Sequence, residues 1–164
     1  MVWRRMRIAG ALGLQNGVWL LPHLPDKKQY AEELLTYLQE HRAKSYIFEV
    51  SMPDPSVEDD ILEQFRKDRD EEYAEFCERC EALLAEIERE TNQEKFTFAE
   101  LEETEEDLEK LKKWLQKISA RDFLEGKMRE EALNKLELCQ TANDNFARKV
   151  YINQGIDQLG NSGN

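Results

Sequence analysis

The sequence predicts a predominantly helical α+β protein: a short α+β portion over residues 1–53, a bundle of about three long helices over 54–152, and a disordered tail over 153–164. Three observations lead there. Only 7 glycines and 4 prolines interrupt 164 residues, hydrophobic residues at 40% accompany 35% charged ones, and from residue 54 onward apolar residues recur with a helical period. Each long helix then buries one face and solvates the rest.

At the N-terminus, Trp3, Met6 and Ala9 recur at three-residue steps with Arg4, Arg5 and Arg7 between them, which reads as a short amphipathic helix. In "GALGLQNGVWLLP" the pair Asn16-Gly17 separates two apolar runs. Asn-Gly supplies the positive φ angles of a type I′ hairpin turn, so Ala11–Gln15 and Val18–Leu21 are predicted to pair as strands. Beyond Pro22 and Pro25, the residues Tyr30, Ala31, Leu34, Leu35 and Leu38 share one helical stripe, with Asp26 suited to cap it. "SYIFEV", Ser45 to Val50, reads as a third strand. The order helix, strand, strand, helix, strand is that of a truncated ferredoxin-like α/β sandwich lacking its first strand.

Asp54-Pro55-Ser56 starts the first long helix, since proline is tolerated in a first turn. Its stripe is Ile61, Leu62, Phe65, Tyr73, Phe76, Cys80, Leu83, Leu84 and Ile87, ending near Thr91-Asn92. Thr97 and Glu100 form a capping-box pattern for the second helix. Leu101, Leu108, Leu111, Leu115 and Ile118 then give a coiled-coil-like seam interrupted by Thr104, and Glu105 and Glu106 precede Lys110, Lys112 and Lys113 at spacings that favour ion pairs. A third helix starts near Gly126 and buries Ala132, Leu133, Leu136, Cys139, Ala142, Phe146 and Val150. This seam serves equally for packing within the chain or between two copies, and packing of three helices within one chain is the more economical reading.

Net charge is -12, but unevenly spread: residues 1–50 carry +2 and residues 51–164 carry -14. Wholesale coating of nucleic acid is therefore disfavoured, and a phosphate or oxyanion surface belongs near the N-terminus. No apolar run approaches the roughly 18 residues of a membrane span. "MVWRRMRIAGAL" lacks the apolar region and cleavage site of a signal peptide, so a cytoplasmic location is expected. Three cysteines, an odd number, point to reduced thiols.

Little in the sequence suggests catalysis. Cys77-Glu78-Arg79-Cys80 is a C-x-x-C, but a zinc site needs about four ligands, and only Cys139, His23 and His41 are left to complete it. It also falls in mid-helix with Cys80 on the buried stripe, so buried small hydrophobes explain it better. His41 near a helix end suits the helix dipole, and His23 lies in a proline-flanked loop. No nucleophile elbow, Walker loop or dinucleotide fingerprint occurs, so no cofactor and no enzyme activity are expected. Arg4, Arg5 and Arg7 within one turn form a donor array suited to phosphate or a tetrahedral oxyanion, with Lys27 and Lys28 as a second basic pair. The same arginines serve equally as a solvated face or as partners for the chain's own carboxylates.

"VWRRMRIAGALGLQNGVWLLP", "SYIFEV", "YAEFCERCEALLAEIERE" and "LKKWLQKISARDFL" together resemble the N-terminal region of ChrB-type chromate resistance proteins, over about Val2 to Tyr151. Trp3, Arg4, Arg7, Gly10, Gln15, Gly17, Leu21 and Pro22 fit the family's first motif, and Arg121-Asp122-Phe123 its second. The resemblance implies a regulator, or sensor module, of a chromate efflux operon. Its partners would be promoter DNA and chromate or another oxyanion, with Arg4, Arg5, Arg7, Lys27, Lys28 and Arg121 as binding residues. Arg121-Asp122 serves equally to cap and pair a tight turn. Two family segments are not represented: the strand that usually precedes the first helix, and the C-terminal domain of longer members. The first leaves an expected gap in the sheet, filled by residues upstream, by rearrangement or by another chain. The alternative reading is a non-catalytic interaction or homodimerisation module built on the acidic helices.

Overall fold

The computed structural model describes residues 2–156; most of the tail expected to be disordered, from residue 157 on, lies outside the described residues. The elements are α1 (Val2–Ile8), β1 (Leu12–Gln15), β2 (Val18–Leu20), α2 (Pro25–Glu40), α3 (Pro55–Asn92), α4 (Phe98–Ser119) and α5 (Lys127–Asn153). The predicted class, α+β and mostly helical, is what the chain adopts. Its described residues form two compact units: 2–68 with 121–124, and 69–120 with 125–156.

In the first unit, Met6, Ala11 and Leu34 are buried, with Val2, Trp19, Leu21, Tyr30, Tyr37 and Leu38 packed around them. α1 closes in a Schellman motif. Gly10 takes φ 81°, its N–H donates to the Arg7 carbonyl (3.0 Å), and the Ala11 N–H donates to the Met6 carbonyl (2.9 Å). α2 and α3 end in the same motif with Arg42 (φ 60°) and Glu94 (φ 55°) in the left-handed position, and α5 ends so at Gly155. At the other end of α3, Pro55 follows Asp54, whose carboxylate accepts the Ser56 N–H (2.9 Å) and hydroxyl (2.8 Å), as the sequence predicts.

Three local expectations are corrected. Of the hairpin pair, only Gly17 has a positive φ (79°), so the turn is not type I′. Leu12 pairs with Leu20 and Gly13 with Trp19, but Gln15 pairs with Val18, which leaves Leu14 as a bulge residue that restores the twist the turn does not supply. Asp26 does not cap α2: the helix begins at Pro25 after an extended Leu24, and Asp26 lies inside its first turn. Ser45 to Val50 is not a strand, so the sheet of the described residues is the two-stranded hairpin and the ferredoxin-like sandwich is not formed. Tyr46 and Phe48 are 76% and 78% exposed, and Ile47 and Val50 are exposed as well. With apolar side chains on both alternating faces and neither face covered, nothing fixes a register.

The second unit is built on one core. Tyr73, Phe76, Cys77, Cys80, Leu83 and Ile87 of α3 meet the α4 seam and Ala132, Cys139, Phe146 and Val150 of α5. The seam is thus consumed within the chain, and it is not available to join two copies. Thr104 does not interrupt it, because the buried hydroxyl donates back to the Leu101 carbonyl (3.0 Å). Leu133, expected in the core, is exposed: it follows Ala132 directly and so falls off the stripe that Ala132, Cys139 and Phe146 define. Lys110 and Lys112 pair with Asp107 (2.7 Å) and Glu109 (2.8 Å) rather than with Glu105 and Glu106.

The turn from α3 to α4 is held by a buried acid. Glu90 is 2% exposed, and its carboxylate meets Arg89 (3.0 Å) and Lys95 (3.0 Å), while Asn153 and Gln154 both donate to the Phe96 carbonyl. Thr97 accepts the Glu100 N–H (3.3 Å), but its own N–H donates to the Lys95 carbonyl, so only half of the predicted capping box forms.

Lys95 and Arg89 hold the Glu90 carboxyl below its ordinary value of 4.5. Its contribution to stability is therefore present above that value and is lost as pH falls through the lowered one. Glu90→Gln is expected to lower the melting temperature at pH 7, with the gap from wild type closing below pH 4.5. In urea unfolding, Leu108→Ala should cost about 2–5 kcal/mol, and Leu133→Ala less than about 0.5 kcal/mol.

Candidate functional site

α1 is short, and its burial divides the basic residues that the sequence places together. Met6 points into the core, which leaves Trp3, Arg4, Arg7 and Ile8 on the exposed side. Arg4 and Arg7 lie three residues apart and share that face, where the Arg4 guanidinium sits 5.8 Å from the Trp3 ring centre. Arg5 is turned elsewhere. Its guanidinium stacks 4.2 Å from the Tyr37 ring centre and its carbonyl accepts the Tyr30 hydroxyl (2.8 Å), so the array has two members, not three.

The second basic pair is engaged within the unit. Lys27 lies 3.2 Å from Asp26 and 5.2 Å from the Phe123 ring centre. Lys28 meets Glu49 at 2.5 Å, and this hydrogen bond raises the amine and lowers the carboxyl from their ordinary values. His23 is 3.7 Å from the same carboxylate. At the end of α2, the His41 Nδ1 contacts the Tyr37 carbonyl (2.7 Å), which matches the helix-end role expected of it.

The two motifs, nearly a hundred residues apart in sequence, meet at Gly10. A Cβ built there would lie 2.8 Å from the Arg121 Cβ, 2.8 Å from the Phe123 ring and 2.9 Å from the Arg121 carbonyl oxygen. Glycine at residue 10 thus serves twice, for the left-handed φ that closes α1 and for the approach of the Arg121-Asp122-Phe123 turn. Phe123 also packs edge-on against Phe65 (6.1 Å between centres), and the Asp122 carboxylate accepts the Leu124 N–H (3.2 Å), a turn-capping role. Arg121 is half-buried beside this junction rather than displayed with Arg4 and Arg7.

The structure therefore brings Arg4 and Arg7 to one surface, places Lys27 and Arg121 against the Phe123 turn, and commits Arg5 and Lys28 to aromatic and acidic neighbours. Tyr37, Phe123 and Glu49 were missed as organisers of these cations. The Phe of R-D-F was a usable signal, whereas Glu49 was obscured by reading its segment as a strand. Cys77, Cys80 and Cys139 are all free and buried, as the sequence suggests. Among the described residues, no group of three or more His, Cys, Asp or Glu side chains is placed to hold a metal, and no helix is long and apolar enough to cross a membrane.

These features define a class: a small helical α+β protein that displays a short arginine-bearing helix locked by a glycine contact to a distant aromatic turn. The chain belongs to the ChrB N-terminal family, whose model, "Protein ChrB, N-terminal", it matches over residues 1–156. It is accordingly a protein related to chromate resistance. No curated protein and no solved structure matches it.

Gly10 and Gly17 have nearly the same φ, but a Cβ at residue 17 meets nothing within 4 Å. Gly17→Ala is expected to cost about 1–2 kcal/mol, the left-handed penalty alone. Gly10→Ala should cost clearly more in the same urea unfolding experiment, because backbone as well as side chain stands in the way.

Proposed function

We propose that this chain is a regulatory module of a chromate efflux operon, acting by binding and not by catalysis, in the cytoplasm. It contacts the phosphates of promoter DNA through the exposed face of α1, and chromate, a tetrahedral dianion, competes for or releases that contact. The observation that carries this reading is the display of Arg4 and Arg7 beside Trp3 on one helical face. That face lies in the part of the sequence whose net charge is positive, within an otherwise strongly acidic chain. Arg5 on Tyr37, Lys27 on Asp26 and Phe123, and Lys28 on Glu49 are engaged within the unit, and Arg121 lies half-buried in the 121–124 turn, so Arg4 and Arg7 are the cations this reading uses.

Fluorescence anisotropy of labelled DNA from upstream of the chain's own operon, titrated at several salt concentrations with and without chromate, tests it. Saturable binding that chromate weakens is expected. Replacing Arg4 and Arg7 together by alanine should reduce the slope of log K against log salt by about 2, one phosphate contact for each arginine. Absent or salt-insensitive binding would overturn the reading.

A second reading, a protein-interaction module, is favoured by the exposed Tyr46, Ile47, Phe48 and Val50, which offer unpaired backbone and apolar side chains to a partner's strand. The acidic helices no longer carry it, since their seam is buried. Light scattering at high protein concentration checks the homodimeric form: association lost in a Tyr46→Ser/Phe48→Ser variant supports it, and a strict monomer removes it.

A further inference from the structure

Of the chain's three tryptophans, two are spent on packing: Trp19 in the first unit's core, and Trp114 in the second's, edge-on against Phe76 (5.6 Å between centres). Trp3 is 54% exposed on α1, and Ile8 is 63% exposed. They share one continuous face with the two arginines, because Trp3 and Arg7, and likewise Arg4 and Ile8, stand four residues apart on the helix. Among the described residues neither Arg4 nor Arg7 is in an ion pair, so the chain's own carboxylates do not occupy this face. Contact with phosphates alone would use the guanidiniums and leave a large indole in water. A lipid surface would accept that ring, but a helix lying on lipid keeps an apolar side free, and on α1 that side, Met6, is buried in the core. An unstacked nucleobase suits the whole face: an aromatic platform receives the base while neighbouring cations follow the backbone. In a closed duplex each base is covered by its neighbours in the stack.

We propose that Trp3 stacks on an unpaired base while Arg4 and Arg7 hold the phosphates beside it, so that this surface binds single-stranded or locally opened DNA in preference to closed duplex. This rests on the reading of α1 as a DNA-binding surface and names the state of the DNA it takes. Arg4 and Arg7 are about 4.5 Å apart along the helix axis, which sets both guanidiniums within reach of neighbouring phosphates on one strand. The Arg4 guanidinium, 5.8 Å from the Trp3 ring centre, is placed to hold the phosphate of the nucleotide whose base the indole receives. Every base offers a ring face, so the contact is tolerant of sequence.

The test titrates the full chain against a fluorescein-labelled single-stranded oligonucleotide, the same oligonucleotide annealed to its complement, and phosphatidylserine vesicles. Wild type is expected to bind the single strand more tightly than the duplex. Trp3→Ala should weaken single-strand binding about 5- to 150-fold with the salt slope unchanged, and Trp3→Phe should retain most of the affinity. Replacing Arg4 and Arg7 together by alanine should instead lower the single-strand salt slope by about 1.4. Because Trp3 is exposed, its melting temperature as Trp3→Ala should match wild type, which separates lost stacking from lost fold. Duplex bound as tightly as single strand by wild type, or a Trp3→Ala variant that binds single strand as wild type does, would overturn the stacking while leaving the phosphate contact standing. Binding to neither oligonucleotide, with or without binding to the vesicles, would overturn both.

Discussion

Residue 10 has no room for a side chain, and much of the first unit's arrangement depends on that. Arg121 and Phe123 occupy the space a Cβ would take, so the end of α1 lies directly on the 121–124 turn. Phe123 in turn packs against Phe65 of α3 and beneath the Lys27 amine of α2. One aromatic ring thereby fixes three separate stretches of chain around α1. A seven-residue helix is too short to be stable alone. Its Schellman closure, the buried Met6 and this contact hold it in place, and the orientation of Arg4 and Arg7 follows from them.

The second unit relies on different physics. Its stability comes from a continuous apolar core along three long helices, and two of the polar groups inside it have local answers. The Thr104 hydroxyl returns to its own helix, and the Cys139 thiol finds a carbonyl on the facing helix. Glu90 is the exception that needs charge: a buried carboxylate requires compensation, and Arg89 and Lys95 supply it from either side of the helix end. The turn it anchors contains a glutamate in the left-handed region, so the ion pairs also offset a backbone cost.

Helices were more legible in the sequence than strands. The starts at Pro55, Thr97 and Gly126 and the stripes of α3 and α4 follow from capping chemistry and a 3.6-residue period, which are local properties. The 45–50 strand failed because β-propensity states only what a segment suits, while a strand also needs a partner edge, and that is not local information. The type I′ turn failed for a related reason: Asn-Gly permits it, but a bulge at Leu14 offers another route to the same twist. At the candidate surface, the arginines were visible as a cluster, yet their division between solvent and Tyr37 depends on which face of α1 is buried. The meeting of Gly10 with Arg121 and Phe123 joins two motifs by a contact that no spacing rule displays.

The exposed 45–50 segment gives the acidity of the whole chain a second meaning. Unpaired backbone flanked by tyrosine, isoleucine, phenylalanine and valine is the chemistry of intermolecular strand pairing, which proteins ordinarily suppress with edge charges or proline. Here the segment has one acidic residue, Glu49, and its charge is matched by Lys28. The remaining safeguard is long-range repulsion between copies, each of net charge -12 at neutral pH. That safeguard vanishes near pH 4.7, where the net charge reaches zero. The glutamate-rich helices therefore act as a colloidal shield, and the chain's solubility is set by residues far in sequence from the segment that endangers it.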